Sequence, residues 1–278
     1  MSPARVPVVR PGDEARHRAR PDAGWREVWR FDVVTDDAST GATVRLALHP
    51  DRALASYRVL LFGEGRPLIA LVDEEVPLPR PAGGLEIRSI GLWADHVCER
   101  GLEHWGVGVE AFALEVDPTT EVGSDALGER VPLGLDVEWE ADGAPDIAVP
   151  GHYEVPARVS GEVLVGRDRT ALDGWGRWVH RWGPTRRAPA SWGELRARDP
   201  RGSWLSGPVV DPAHRPPREP LRVGDGVGSL TARPVAWAAL RLVRPGGVLV
   251  RWERRLLRME AAEAPAGAGW IDLGVVTG

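Results

Sequence analysis

The 278-residue chain is 43% hydrophobic and carries 35 basic residues, all arginine, against 40 acidic ones, for a net charge of −5. Arginines scattered among acids form no basic stripe, which excludes a nucleic-acid footprint, and no run approaches the roughly 20 apolar residues that cross a bilayer. Cys98 is the single cysteine, which excludes an intramolecular disulfide; with no leader-like apolar stretch at the start, a soluble cytoplasmic protein is expected.

In chain order, residues 1–23 are charged and proline-bearing without apolar periodicity, and are expected to be a flexible N-terminal segment. GWREVWRFDV (residues 24–33) opens an amphipathic, tryptophan-rich run. In TGATVRLALHP, Val44, Leu46 and Leu48 oppose Thr43, Arg45 and His49. In YEVPARVSGEVLVG, Val155, Ala157, Val159, Val163 and Val165 oppose Glu154, Arg158, Ser160 and Glu162. Alternation of this kind, recurring with few helical stripes, predicts an all-β protein of antiparallel strands with one polar face, a barrel or sandwich. The proline- and arginine-rich PTRRAPASW (residues 184–192) breaks the alternation and marks a boundary. It divides the chain into a domain over residues 24–187, with about nine strands, and a smaller one over 188–278, with about five. In the latter, AWAALRLVRPGGVLVRWERRLL reads as a hairpin turning at Pro245, Gly246 and Gly247.

Three stretches carry chemistry-bearing residues. WADHVCERGLEHW gathers Asp95, His96, Cys98, Glu99, Glu103 and His104, but its spacing matches no short pair of structural zinc ligands, and no metal or other cofactor is expected. In GLEHWGVGVEAFALEV, Trp105, Val107, Val109, Ala111 and Ala113 share one face; His104, Gly106, Gly108, Glu110 and Phe112 share the other. Two glycines between a histidine and a glutamate leave room for a ligand, or else mark a strand bend whose polar pair faces water. In GWGRWVHRWGP (residues 174–184), Trp178, His180 and Trp182 point one way and Arg177, Val179 and Arg181 the other. The imidazole then stands between two indoles, either lining a pocket or bonded inside an aromatic seam, with Arg177 and Arg181 outside, paired or solvated.

The succession Glu103–His104–Trp105, then Tyr153, Glu154 and Pro156, then Gly174, Gly176, His180, Trp182 and Gly183 resembles the hydroxyneurosporene synthase superfamily, the carotenoid hydratase-like and AttH-like proteins. The resemblance spans about residues 24–187 and implies tandem lipocalin-like domains, here with a shortened second one. It also implies a cofactor-free hydratase, cyclase or isomerase acting on a hydrophobic polyene, polyketide or terpenoid-like substrate. Where that family usually carries arginine and aspartate before the histidine, this chain has Trp178 and Val179. The expected catalytic residues are His104, His180, Glu103, Glu154 and Tyr153, and the expected substrate walls are Trp105, Glu110, Phe112, Trp178 and Trp182. The competing expectations are a non-catalytic lipocalin-like carrier and an interaction module using exposed tryptophans. A hydrophobic small molecule is the expected partner, with a homodimer as an open alternative.

Overall fold

In the computed structural model, the described residues are 8–20, 24–80, 84–118, 120–185, 189–198, 202–208, 221–223, 230–243, 247–261 and 264–277. The strands are β1 (Trp25–Thr35), β2 (Thr40–His49), β3 (Leu54–Gly63), β4 (Leu68–Pro77), β5 (Ile87–Ser89), β6 (Leu92–Arg100), β7 (His104–Val116), β8 (Glu121–Val122), β9 (Glu129–Ala141) and β10 (Asp146–Val149). They continue as β11 (His152–Val165), β12 (Asp168–Ala171), β13 (Gly174–Pro184), β14 (Ser191–Arg198), β15 (Trp204–Pro208), β16 (Leu221–Val223), β17 (Leu230–Val243), β18 (Leu249–Ala261) and β19 (Ala264–Thr277). Two short 3-10 turns, Pro11–Glu14 and Pro50–Arg52, complete the regular structure among the described residues. The all-β expectation holds, and no helix of these residues is long and apolar enough to cross a membrane.

The first sheet closes on itself. β1, β2, β3, β4, β7, β9, β11 and β13 pair in that order, each antiparallel to the next, and β13 returns to β1. The contact of β4 with β7 spans only Leu68–Ala70, so β6 and β5 continue the wall along the rest of β7. The second sheet runs β15-β14-β19-β18-β17-β16, and β8, from the first half of the chain, pairs with β17. The predicted hairpin is β17–β18; its turn residues Pro245 and Gly246 lie outside the described residues.

Alternation along the barrel strands sends Trp29, Phe31, Val44, Leu46, Leu48, Tyr57, Val59, Trp105, Val107, Trp139, Val155 and Trp178 into one interior core. The outer faces depart from the simple polar-out pattern. The outer side of β1, β3 and β13 is covered by the second sheet, where Val34, Leu60, Phe62 and Trp175 pack on Ala238, Leu240, Leu256 and Trp270. Two-sided burial explains why β1 is buried along nearly its whole length. The glycines of GWGRW serve the seam. A Cβ at Gly176 would lie 1.8 Å from the Asp32 carbonyl oxygen, and one at Gly174 would lie 2.0 Å from that of Val34, so only glycine lets β13 approach β1 so closely.

The arginine on the outer face is paired rather than solvated, the first of the two alternatives the sequence left open. Arg177 is 2% exposed and donates through Nε to Asp32 at 3.2 Å and through Nη1 to Glu154. Asp32, fully buried, also accepts from Thr43 Oγ1 at 2.8 Å and from Arg254 of β18, with Arg30 Nε 3.1 Å away. Arg254 in turn grips Asp272 of β19 through two bonds of 2.7 Å, and the Arg177 and Arg254 guanidiniums lie 5.6 and 5.1 Å from the Trp270 ring. Burial alone would raise the Asp32 pKa, but Arg254, Arg30 and Arg177 hold it far below the usual carboxylate range.

The N-terminal segment also departs from expectation. Among its described residues, Glu14 is 2% exposed and Arg16 donates to the Pro79 carbonyl at 2.7 Å. Pro11 lies so close to the turn between β6 and β7 that a Cβ at Gly101 would meet its carbonyl oxygen at 2.6 Å. Residues 8–20 are a strap laid over the open end of the barrel, held by buried polar contacts that no apolar period announces.

Two outcomes follow. Removing the Asp32 carboxylate strands Arg254 and Arg177 in the interface, so Asp32→Ala is expected to lose about 3–5 kcal/mol in chemical denaturation; an unchanged midpoint would contradict this account of the seam. His96, buried in the barrel, has its pKa pushed down to about 4 by burial, partly offset by its bond to the Leu85 carbonyl. Because the unfolded chain takes up this proton first, His96 stabilises fully above pH 6.5 and loses about 3 kcal/mol as pH falls toward 4. A His96→Leu variant should show a flatter stability curve between those limits, measured by denaturation at stepped pH.

Candidate active site at the barrel mouth

At the end of the barrel where β1 begins and β13 ends, four elements converge. The β1–β13 register sets Trp29 opposite His180 and Glu27 opposite Trp182, while β11 places Tyr153 opposite His180 from the other side. These residues have the parity of the inward face, so they crowd together inside the mouth. The strap adds Glu14 and His17 from above.

His180 is fully buried and bonded at both ring nitrogens: Nε2 lies 3.0 Å from Glu27 Oε1, and Nδ1 lies 3.3 Å from the Tyr153 hydroxyl. The Trp29 indole stacks on it with ring centres 4.4 Å apart. His17 reaches the same Glu27 oxygen through Nδ1 at 2.8 Å, its backbone N–H donates to the same carboxylate, and its ring stacks 3.9 Å from Trp182. Glu14 Oε1 accepts from Trp178 Nε1 at 2.9 Å and from the Leu102 N–H at 3.3 Å. Glu14 Oε2 and the indole nitrogens of Trp29 and Trp105 are buried without a hydrogen-bond partner, an unusual concentration of unmet polar groups inside one barrel.

The protonation states follow from the surroundings. Burial lowers the His180 pKa despite Glu27, so the ring is neutral at pH 7. Burial would raise that of Glu27, but bonds from His17 and His180 outweigh it and keep the carboxylate ionised. Burial pushes the Tyr153 phenol well above its ordinary range. An ionised Glu27 takes the Nε2–H of His180, which leaves Nδ1 to accept from Tyr153. The arrangement is therefore a directed relay, Tyr153 to His180 to Glu27, with a neutral imidazole at its centre. Elsewhere in the barrel interior, Tyr57 and His96 form a second such pair at 3.3 Å, and Phe31 packs 5.6 Å from the imidazole.

Of the residues singled out in the sequence, His180, Tyr153, Trp178 and Trp182 meet here, and Trp105 lies in the barrel core against Phe31 with ring centres 5.4 Å apart. The others are elsewhere. His104, Glu110 and Phe112 belong to the outward face of β7: His104 faces Glu138 at 3.4 Å, and Phe112 is 50% exposed. The glycine-bearing face of that strand points away from the interior because its partner face, Trp105 to Ala113, is the more apolar. Glu110 and Phe112 line instead an outer groove of about 520 Å³ with Trp93 and Leu164. Glu103 sits exposed in the turn before β7, 3.5 Å from Arg100. Glu154, on the outer face of β11, is committed to Arg177 and to Arg196, whose Nη2 donates at 2.6 Å. None of these four polar groups takes part in the mouth cluster.

Sequence reasoning missed Glu27, His17, Glu14 and Tyr57, and it singled out His96 only within a polar cluster rather than as the buried partner of Tyr57. Glu27 had a signal, an acid on the same period-two face as Trp25, Trp29 and Phe31. Glu14 and His17 had none, because the strap has no periodicity. A cavity of about 770 Å³ lies at the opposite end of the barrel against β17, lined by Arg66, Glu115, Asp117, Glu129, Arg233 and Trp237 among others. None of the 13 tryptophans is exposed, which removes the basis for an interaction module built on them.

The family model described as a domain of unknown function, DUF7064, matches residues 10–196. No curated protein matches the chain. Among solved structures, the chain is similar to a protein provisionally described as AttH from Nitrosomonas europaea, with 13% identity over 98% of each chain and a TM-score of 0.58. It is similar to kievitone hydratase from Nectria haematococca, with 12% identity over 98% of this chain and 94% of that one and a TM-score of 0.51. CghA with Sch210972 gives 12% identity over 91% and 88%, with a TM-score of 0.50. At these identities the likeness is one of fold, and it accords with the AttH and carotenoid hydratase-like lipocalin superfamily that the motifs resemble. With more than half of its length matched, the chain belongs to the DUF7064 family.

Proposed function

We propose that this protein is an enzyme of small-molecule metabolism that cyclises, isomerises or hydrates a hydrophobic polyene, polyketide or terpenoid-like substrate at the barrel mouth, without an organic cofactor. The observation that carries the reading is His180: a fully buried, neutral imidazole braced by Trp29 and held between the Tyr153 phenol and the Glu27 carboxylate. Both of its nitrogens are wired to groups that can pass a proton. That fold relatives include a hydratase and a protein seen with a bound small molecule agrees with it.

In this reading the strap lifts, and the substrate takes the place of Glu14 and His17 against Trp29, Trp178 and Trp182. The indole walls hold a flexible chain near its reactive conformer and exclude bulk water. A substrate proton moves to the Tyr153 oxygen as the phenol proton moves to Nδ1 of His180, and Glu27 stabilises the imidazolium that forms. The reverse shift delivers a proton to another atom of the same substrate, so the enzyme ends as it began. The unpartnered Trp29 and Trp105 N–H groups are donors available to a substrate oxygen.

Native mass spectrometry of the protein after incubation with extract of its source cells, followed by product analysis, tests the reading. A bound hydrophobic molecule that is converted supports it; one bound and released unchanged establishes a carrier, and no bound molecule overturns both. With the substrate in hand, Tyr153→Phe should lower kcat by about 10²–10⁴-fold while the fold persists, and an unaltered rate in a folded variant would remove the relay from the mechanism.

A further inference from the structure

The strap and the barrel share a second chemistry at this site. His17 Nδ1, a Glu27 oxygen and His180 Nε2 all lie within 4.8 Å of one another, two imidazoles and one carboxylate converging from three separate segments. His17 is on the strap, Glu27 on β1 and His180 on β13. We propose that these three side chains bind a divalent transition-metal ion, Zn²⁺ by the character of the donors, and that the ion clamps the strap shut over the barrel mouth.

Four features support the assignment. The donor set of two imidazoles and one carboxylate is one that zinc takes when a fourth position is left for water. Glu27 Oε1 stands 2.8 Å from His17 Nδ1 and 3.0 Å from His180 Nε2. Ligand atoms of a tetrahedral zinc centre lie about 3.3 Å apart, given bonds near 2.05 Å, so the Glu27 oxygen need only part from each nitrogen by a few tenths of an ångström, and the two imidazole nitrogens already lie within 4.8 Å of one another. The rings are already oriented: Trp182 stacks on His17 and Trp29 on His180, while Tyr153 holds the far nitrogen of His180, as outer partners of metal-bound imidazoles do. Finally, the charge suits a cation. Ion binding at Nε2 shifts the His180 proton to Nδ1, which then donates to the Tyr153 oxygen, and the phenol proton turns toward Glu14, whose Oε2 is buried and unpartnered.

The proposal goes beyond the proton relay and constrains it. The metal-free cluster is the working form, and the ion, occupying His180 Nε2 and Glu27 while pinning His17, holds the site closed. Zn²⁺ is thus a reversible blocker of the mouth rather than a participant in the chemistry.

Isothermal titration of ZnCl₂ into the full-length, chelator-treated protein, with hydrogen exchange of residues 8–20 followed by mass spectrometry, tests it. The expected result is one Zn²⁺ per chain and slowed exchange across the strap. His17→Ala, which removes the strap's ligand together with its contacts to Glu27 and Trp182, should weaken binding by about 100-fold, the loss of a ligand exceeding that of an outer partner, and abolish the zinc-dependent protection. His152→Ala, a half-buried histidine of the same barrel end outside the cluster, should leave both unchanged. No zinc binding, binding unaltered in His17→Ala, or binding without protection of residues 8–20 would each overturn the clamp. The relay is read separately, from substrate binding and turnover measured in excess chelator, so either claim fails without the other.

Discussion

The β1–β13 seam is the constraint on which the rest of this structure depends. Its outer face carries Asp32 opposite Arg177, and through Arg254 and Asp272 it welds the barrel to the second sheet. Taking several charges out of water costs more than isolated pairs return, so a network of this kind persists only when each oxygen and guanidinium is answered. Here the acids Asp32, Asp272, Glu154 and Glu194 answer Arg30, Arg177, Arg196 and Arg254. The network fixes the register of two strands, and with a period of two a fixed outer face dictates the inner one. Glu27, Trp29, Trp178 and His180 stand where they do because Asp32 and Arg177 stand where they do.

That inner face holds an energetic tension. Most of the barrel interior is filled by aliphatic and aromatic side chains, yet its mouth buries two carboxylates, an imidazole and a phenol, with the His17 ring half-buried beside them. Groups of this kind are expensive to bury unless bonded to one another, and the strap supplies part of the satisfaction: His17 shares Glu27, and Glu14 takes the Trp178 N–H. The strap itself rests on a handful of polar contacts at the chain's beginning rather than on an apolar stripe. An element so attached opens at low cost relative to the barrel beneath it, which lets one cluster be closed at rest and accessible in use.

The parts of this architecture that repeat were readable in the sequence. Val44, Leu46 and Leu48, or Val155, Ala157 and Val159, announce their inward face by alternation alone, and the aromatic side of GWGRWVHRWGP was placed correctly by the same rule. What failed to show was whatever depends on a second layer. Arg177 reads only as an outer-face arginine, paired or solvated, until the second sheet covers it, and β1 reads as half-buried until Trp270 and Leu256 pack behind it. The β7 face with His104 and Glu110 looked hospitable because of its glycines, but the tryptophan and valines opposite claim the interior more strongly. Tyr153 and His180 were legible as candidates. Their connection to Glu27 was not, since 153 residues of chain separate that carboxylate from the imidazole it binds. The strap residues Glu14 and His17 belong to a stretch whose composition resembles a loose terminus, and nothing short of the folded barrel reveals what they cover.

The central claim is the state of one ring. Nitrogen NMR of the His180 imidazole, recorded in chelator across a pH range, reads its charge and tautomer directly. The account predicts a neutral ring at pH 7, with the proton on Nε2 toward Glu27 and a bare Nδ1 toward Tyr153, taking up its second proton only below pH 6.5. An imidazolium at pH 7, or a neutral ring protonated at Nδ1, would contradict it.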